Sequence, residues 1–291
     1  MNLFQSVSGR PCQSSLPRAV SRLAGAIAGA LLMTATAHAQ DCKPKIADSL
    51  LTKPGTFVMS TSPTLPPMAY ADQKGVLKGL RIDLGYEIAK RLCLKPEFIS
   101  TEYAAMIPGL QGRRWDMIDA GLFVTPERLK ILYMIPYENL AISISTTVKG
   151  GAPITKVDDL SGKTISTDIG GYAERKMRDL NKDFQARGLK LMTINLFDNY
   201  ATVYQALRAG QVDAAVSIDP VAKEYQERGE FTHALSGMYP TPGSLAFGDK
   251  AVAEAVAGVM KDMETDGYLE KLLGQYGVGR AEGGVKVLGP T

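Results

Sequence analysis

The sequence predicts an α/β protein of two lobes joined by a double crossing. Three observations carry that expectation. Strand and helix patterns alternate from Phe57 to Gly121. The alternation starts afresh after Lys149-Gly-Gly-Ala-Pro153. A second Pro/Gly break, Tyr239-Pro-Thr-Pro-Gly243, closes the central block. Strand, helix and strand in this rhythm indicate parallel βαβ units. A chain that leaves one lobe, builds another and returns crosses between them twice. Paired crossings form a hinge, and a cleft between lobes is the geometry for closing on a solute.

The elements follow in order. Phe57-Val-Met-Ser-Thr61 is a short apolar strand before a Pro-rich turn, 63–67. Leu84, Ile88 and Leu92 fall at i, i+4 and i+8 on one helix face, with Asp83 as its candidate cap. Residues 97–100 form a strand, and 104–112 a short helix with Met106, Ile107 and Leu110 inward. Asp116–Gly121 is a buried strand. In the central block, 164–167, 189–195 and 212–217 are strands. A helix over 199–209, closed by Gly210, puts Val203, Ala206 and Leu207 on one face. After the second break, 244–247 is a strand and 252–276 a helical region. The Gly-rich residues after Gly277 are expected to fray.

The start of the chain reads as an export signal. Arg10, Arg18 and Arg22 precede a short apolar run, Leu23–Met33, and then Ala37-His38-Ala39, an A-x-A pattern. The run is short for a membrane span. The expected organisation is a signal peptide over 1–39, a first lobe over 40–145, a second over 146–240, a return segment over 241–280 and a tail over 281–291. The expected location is the periplasm.

Removing three signal arginines from 33 basic residues leaves 30, against 30 acids. A mature chain of zero formal charge has no basic excess for phosphate backbones, so nucleic acid is excluded as a partner. Cys12 leaves with the signal. Cys42 and Cys93 remain as an even pair in an oxidising compartment. They either form a disulfide stapling the N-terminal segment to the end of the first helix, or stay as two thiols. With two histidines, His38 and His233, and no CxxC, there is no zinc pattern. No nucleotide loop, nucleophile elbow or other cofactor motif is present. The expectation is a monomeric binding protein without metal or cofactor, not an enzyme.

The sharpest motif is Ala120-Gly-Leu-Phe-Val-Thr-Pro-Glu-Arg128. A buried strand is expected to end at Gly121. Thr125 is suited to cap a helix, Pro126 to its first position and Glu127 to its positive end. Arg128 then stands at the third helical position, where its planar fork can take a carboxylate bidentately. Gly121 allows a close approach to the main chain. The alternative pairs Arg128 with a neighbouring acid, Glu127 or Glu138.

The ordered set Thr64-Leu-Pro-Pro-Met68, Gly79-Leu-Arg-Ile-Asp-Leu84, Met106-Ile-Pro-Gly-Leu110, Trp115-Asp-Met-Ile118, Ala120–Arg128, Pro136-Tyr137, Asp159-Leu-Ser-Gly-Lys163, Leu207–Ala214 and Asp266-Gly-Tyr268 resembles the family-3 solute-binding proteins, the amino-acid receptors of ABC importers. The likeness spans roughly 57–277. It implies a two-lobed periplasmic-binding-protein fold of type II, with two parallel-type sheets flanked by helices and a two-strand hinge. It also implies one carboxylate-bearing solute between the lobes, delivered to a membrane ABC permease. By the resemblance, Arg128 matches the arginine that holds the solute α-carboxylate, Gly121 the backbone contact and Tyr103 the stacking aromatic.

Four positions depart from that pattern. Leu65 replaces a stacking aromatic, and Phe123 replaces a hydroxyl that assists the carboxylate. Gly171-Tyr172 replaces the hydroxyl pair of the second lobe. Ile218 stands where the family has its amine-binding Asp, with Asp219 one residue on. On a strand one step reverses the face, so Asp219 either serves the amine from a turn or only caps it. The changes make the pocket more apolar than usual. Two other roles fit the scaffold. Gly170-Gly-Tyr-Ala-Glu-Arg175 resembles a stretch of periplasmic cyclohexadienyl dehydratases, which would make Glu174 an acid catalyst rather than a first-turn residue favoured by the helix dipole. A sensory role would act through a separate partner.

Overall fold

The computed structural model describes residues 42–148 and 153–290. The export signal expected over 1–39 and part of the first breakpoint lie outside the described residues. Strand β1 (Thr56–Thr61) is buried along its whole length. A small antiparallel sheet of β2 (Thr64–Leu65), β3 (Ala69–Ala71) and β4 (Leu77–Lys78) follows, unforeseen because its strands are too short to show a period. Then come α1 (Leu80–Arg91), β5 (Lys95–Ser100), α2 (Tyr103–Gln111), β6 (Met117–Phe123) and α3 (Pro126–Leu129). Leu84, Ile88 and Leu92 are fully buried, as the spacing predicts. Each such side chain contributes about 1.5–3 kcal/mol on leaving water. Asp83 is not the cap: Gly79 is the N-cap of α1, and the Asp83 carboxylate accepts from Tyr276 Oη at 2.7 Å.

Strand β7 (Tyr133–Thr147) leads into the central block of β8 (Thr164–Asp168), α4 (Tyr172–Ala186), β9 (Thr193–Phe197), α5 (Tyr200–Arg208), β10 (Ala214–Ile218) and α6 (Asp219–Glu227). Strand β11 (Phe231–Phe247) returns, and α7 (Lys250–Thr265) and α8 (Tyr268–Gln275) complete the helical layer. Gly267, in the left-handed region, separates these last two helices where one helical region was expected.

The strands form one sheet in the order β5-β1-β6-β11-β7-β10-β8-β9. The pairs β1–β5, β1–β6, β8–β9 and β8–β10 are parallel. Between these parallel halves, β7 and β11 run antiparallel from Phe231 beside Thr147 to Phe247 beside Tyr133. One end of that ribbon pairs with β6 and the other with β10. The two sheets are thus fused through two shared strands, a two-lobed α/β architecture. Tyr239–Gly243 does not break the chain. It lies inside β11, where a shift of register between Met238 and Thr241 takes up Pro240, and Pro242 stays in register opposite Asn139.

Cys42 and Cys93 form a disulfide with Cα atoms 5.5 Å apart, which ties the N-terminal segment to the end of α1. The segment after Gly277 is ordered rather than frayed. Arg280 pairs with Glu264, Val285 is buried, and Leu288 bridges to Met134.

Candidate solute site between the lobes

Strand β6 delivers the first wall. Its burial is continuous, and Gly121 turns through the left-handed region at φ 61°. A Cβ at Gly121 would overlap Arg81 Nη2 and Glu138 Oε1, so glycine is required there by a packed ion pair as well as by the cavity it borders. Beyond Phe123 the chain enters α3. Thr125 Oγ1 accepts from the Arg128 N–H at 3.3 Å, and Pro126 opens the helix, as the motif predicts.

The Arg128 side chain is 4% exposed. Its Nη1 donates to the Phe123 carbonyl at 2.9 Å, and the guanidinium carbon lies 5.8 Å from the Tyr103 ring centroid. Among the described residues no carboxylate stands within 4.0 Å of it. Glu138 is engaged elsewhere, 3.1 Å from Arg81 Nη2.

The cavity lies between two walls. Tyr103, Gly121, Phe123 and Arg81 come from the first half of the sheet, and Asp168, Tyr172, Tyr200 and Ile218 from the second. Phe123 and Tyr172 stack across it with centroids 4.4 Å apart. The Tyr172 hydroxyl lies 2.9 Å from Thr241 Oγ1 on β11. These rings narrow the cavity to about 20 Å³, room for one water. Outside the stack, a groove of about 390 Å³ runs between Val124–Glu127 and α4, and Tyr172 borders both spaces.

Arg128 stands behind Phe123 and Tyr103 rather than on the lining, and the remaining sequence candidates also lie off the cavity. Leu65 is packed in the core and does not border it. Gly171 caps α4, where a Cβ would press on the Asp168 carboxylate. Asp219 begins α6, and its carboxylate accepts from Ser143 Oγ and from the Gly237 N–H at 3.1 Å. Ile218 borders the cavity in its place. Glu174 accepts from the Gly170 N–H at 2.7 Å and pairs with Arg178 at 2.8 Å.

Two features escaped the sequence reading. Asp168, at the end of β8, is 2% exposed and faces the cavity. Burial raises its carboxyl to about 6, although hydrogen bonds from Tyr200 and Thr167 and the charge of Arg128 pull it down. The other is the cluster beneath Gly121. Arg81, Asp119, Tyr137 and Glu138 are all buried, Tyr137 lies between Arg81 and Glu138, and among the described residues neither Asp119 oxygen has a hydrogen-bond partner. Burial opposes the Arg81 charge, but Glu138, Tyr137 and Asp119 more than offset this and hold its pKa above the usual value. Burial likewise drives the Asp119 carboxyl well up, Arg81 notwithstanding.

The family model for bacterial extracellular solute-binding proteins, family 3, matches residues 57–279. A probable amino-acid ABC transporter-binding protein of Haemophilus influenzae is 27% identical, over 84% of this chain and 92% of its own. A lysine/arginine/ornithine-binding periplasmic protein of Escherichia coli is 29% identical, over 79% and 90% respectively. Among solved structures, an ancestral arginine-binding protein bound to arginine superposes with a TM-score of 0.68 at 29% identity, covering 77% of this chain and 98% of that one.

Proposed function

This chain belongs to the bacterial extracellular solute-binding proteins, family 3, and from that premise we propose that it is a periplasmic receptor for a small carboxylate-bearing solute, an amino acid or close analogue, which it hands to an ABC permease. The observation that carries this is Arg128. A buried guanidinium with no acid of its own chain at ion-pair distance stands behind Phe123 and Tyr103, two residues that line the inter-lobe cavity. Leaving such a charge uncompensated costs several kcal/mol, and a bidentate solute carboxylate offsets that cost. The two-strand hinge of β7 and β11 supplies the motion, since the cavity is too small for a solute until the rings part. The receptor acts as a monomer, and Phe123, Tyr103 and Tyr172 favour a solute with an apolar or aromatic body.

A thermal-shift screen of mature protein against amino acids, opines, aromatic acids and simple amines tests this. A tight ligand raises the melting temperature by mass action. Carboxylates are expected to give the shifts. A screen in which only uncharged solutes or carboxylate-free amines shift the protein would overturn the proposal.

A further inference from the structure

We propose that Asp168 is the group that recognises the solute's ammonium, so that the receptor selects zwitterions through Arg128 from one lobe and Asp168 from the other. This rests on the receptor function proposed above and narrows it. Asp168 is the one carboxylate bordering the inter-lobe cavity among the described residues. It ends β8 on the second wall, while the Phe123–Arg128 segment ends β6 on the first. Closing the hinge therefore brings an anion toward a cation with the solute between them. The acid beside Ile218 is not available for this work. Asp219 is held by Ser143 and the Gly237 N–H, outside the cavity.

The surroundings of Asp168 fit a cationic guest. Its partners are neutral, the Tyr200 phenol, its own backbone N–H and Thr167 Oγ1 at 3.3 Å, and it forms no ion pair at contact distance among the described residues. A carboxylate buried this deeply with only neutral partners lacks a countercharge at contact distance, and an ammonium supplies one. Gly171 matters to the same end. Any side chain there would fall on the Asp168 carboxylate, so the glycine that replaces a family hydroxyl is what leaves the acid its position.

The test is isothermal titration with matched pairs: L-phenylalanine with 3-phenylpropanoate, L-glutamine with its deamino acid, and L-arginine with 5-guanidinopentanoate. Wild-type protein is expected to bind at least one amino acid about 30-fold or more tighter than its deamino partner, the scale of a buried charge pair. Asp168→Asn is expected to erase that ratio while leaving deamino binding within a few-fold, which also shows the variant is folded. Asp219→Asn is expected to keep the ratio. Equal wild-type affinities within every pair, or a ratio lost in Asp219→Asn and kept in Asp168→Asn, overturn the assignment while leaving a carboxylate receptor intact. No binding by any member of any pair would instead count against the receptor function and the assignment together.

Discussion

Phe123 and Tyr172 face each other across the cleft, 4.4 Å between centroids and 22° between ring planes. One ring ends β6 in the first lobe and the other begins α4 in the second. The stack divides an inner cavity of about 20 Å³ from an outer groove of about 390 Å³. On the proposed reading, solute entry and closure both pass through this pair.

Removing one ring should therefore ease opening. An aromatic pair is worth about 0.5–1.5 kcal/mol beyond its buried area, so Phe123→Ala should speed solute association roughly 2- to 12-fold. Stopped-flow tryptophan fluorescence, with Trp115 as the lone reporter in the sequence, measures the rate. An unchanged rate would show that the rings do not gate entry.

The cluster beneath Gly121 makes a stability prediction. Arg81→Met strands Glu138 without its cation, and breaking a buried pair from one side costs about 3–5 kcal/mol. Replacing both, as Arg81→Met with Glu138→Leu, should recover most of that loss, because the desolvation of two charges disappears with their attraction. Urea unfolding of the single and double variants reads the difference. Equal destabilisation by both would contradict the account.

The Cys42–Cys93 bridge closes a loop with a sequence separation of 51. Chain entropy puts its contribution at about 4 kcal/mol. The Cys42→Ser, Cys93→Ser double variant should unfold at correspondingly lower urea with a similar slope, and reductant should then have no further effect.

Asp168 sets a pH dependence. Burial pushes its carboxyl to about 6, above the roughly 3.9 of an exposed aspartate. The folded protein thus holds this proton more tightly than the unfolded chain does. The group's contribution is complete below about pH 4 and is lost as pH rises through 6, on the order of 3 kcal/mol. Tyr200, Thr167 and Arg128 face it and limit the shift. An ammonium docked beside the carboxylate reverses the preference, so amino-acid binding near pH 6 should release protons. Titration in two buffers of different ionisation enthalpy detects them. Wild-type protein and Asp168→Asn should differ in this release.

Much of the fold was legible because its signals are local. The Thr125-Pro126-Arg128 turn and the faces at 84, 88 and 92 or 203, 206 and 207 need only a few neighbouring residues to be read. The hinge was not. Pro240 and Pro242 look like breaks, yet shifts of register let the central strand β11 run through them beside β7. The site was half legible for the same reason. Arg128 announces itself by its turn, but Asp168 joins the cavity only when β8 is placed across from β6, with β11, β7 and β10 between them. Arg81, Glu138 and Gly121 come from three elements, and nothing in their spacing shows that they touch. The tail misled through composition, since glycines at 283, 284 and 289 do not reveal that Leu288 finds Met134.

The central claim is that the buried Arg128 guanidinium holds a solute carboxylate. Isothermal titration of wild-type and Arg128→Ala protein with the tightest carboxylate from the screen tests it most directly. Affinity should fall by about 2–5 kcal/mol, at least 30-fold, with the unfolding midpoint of the unliganded variant held or raised. A dissociation constant unchanged by the substitution would contradict the claim.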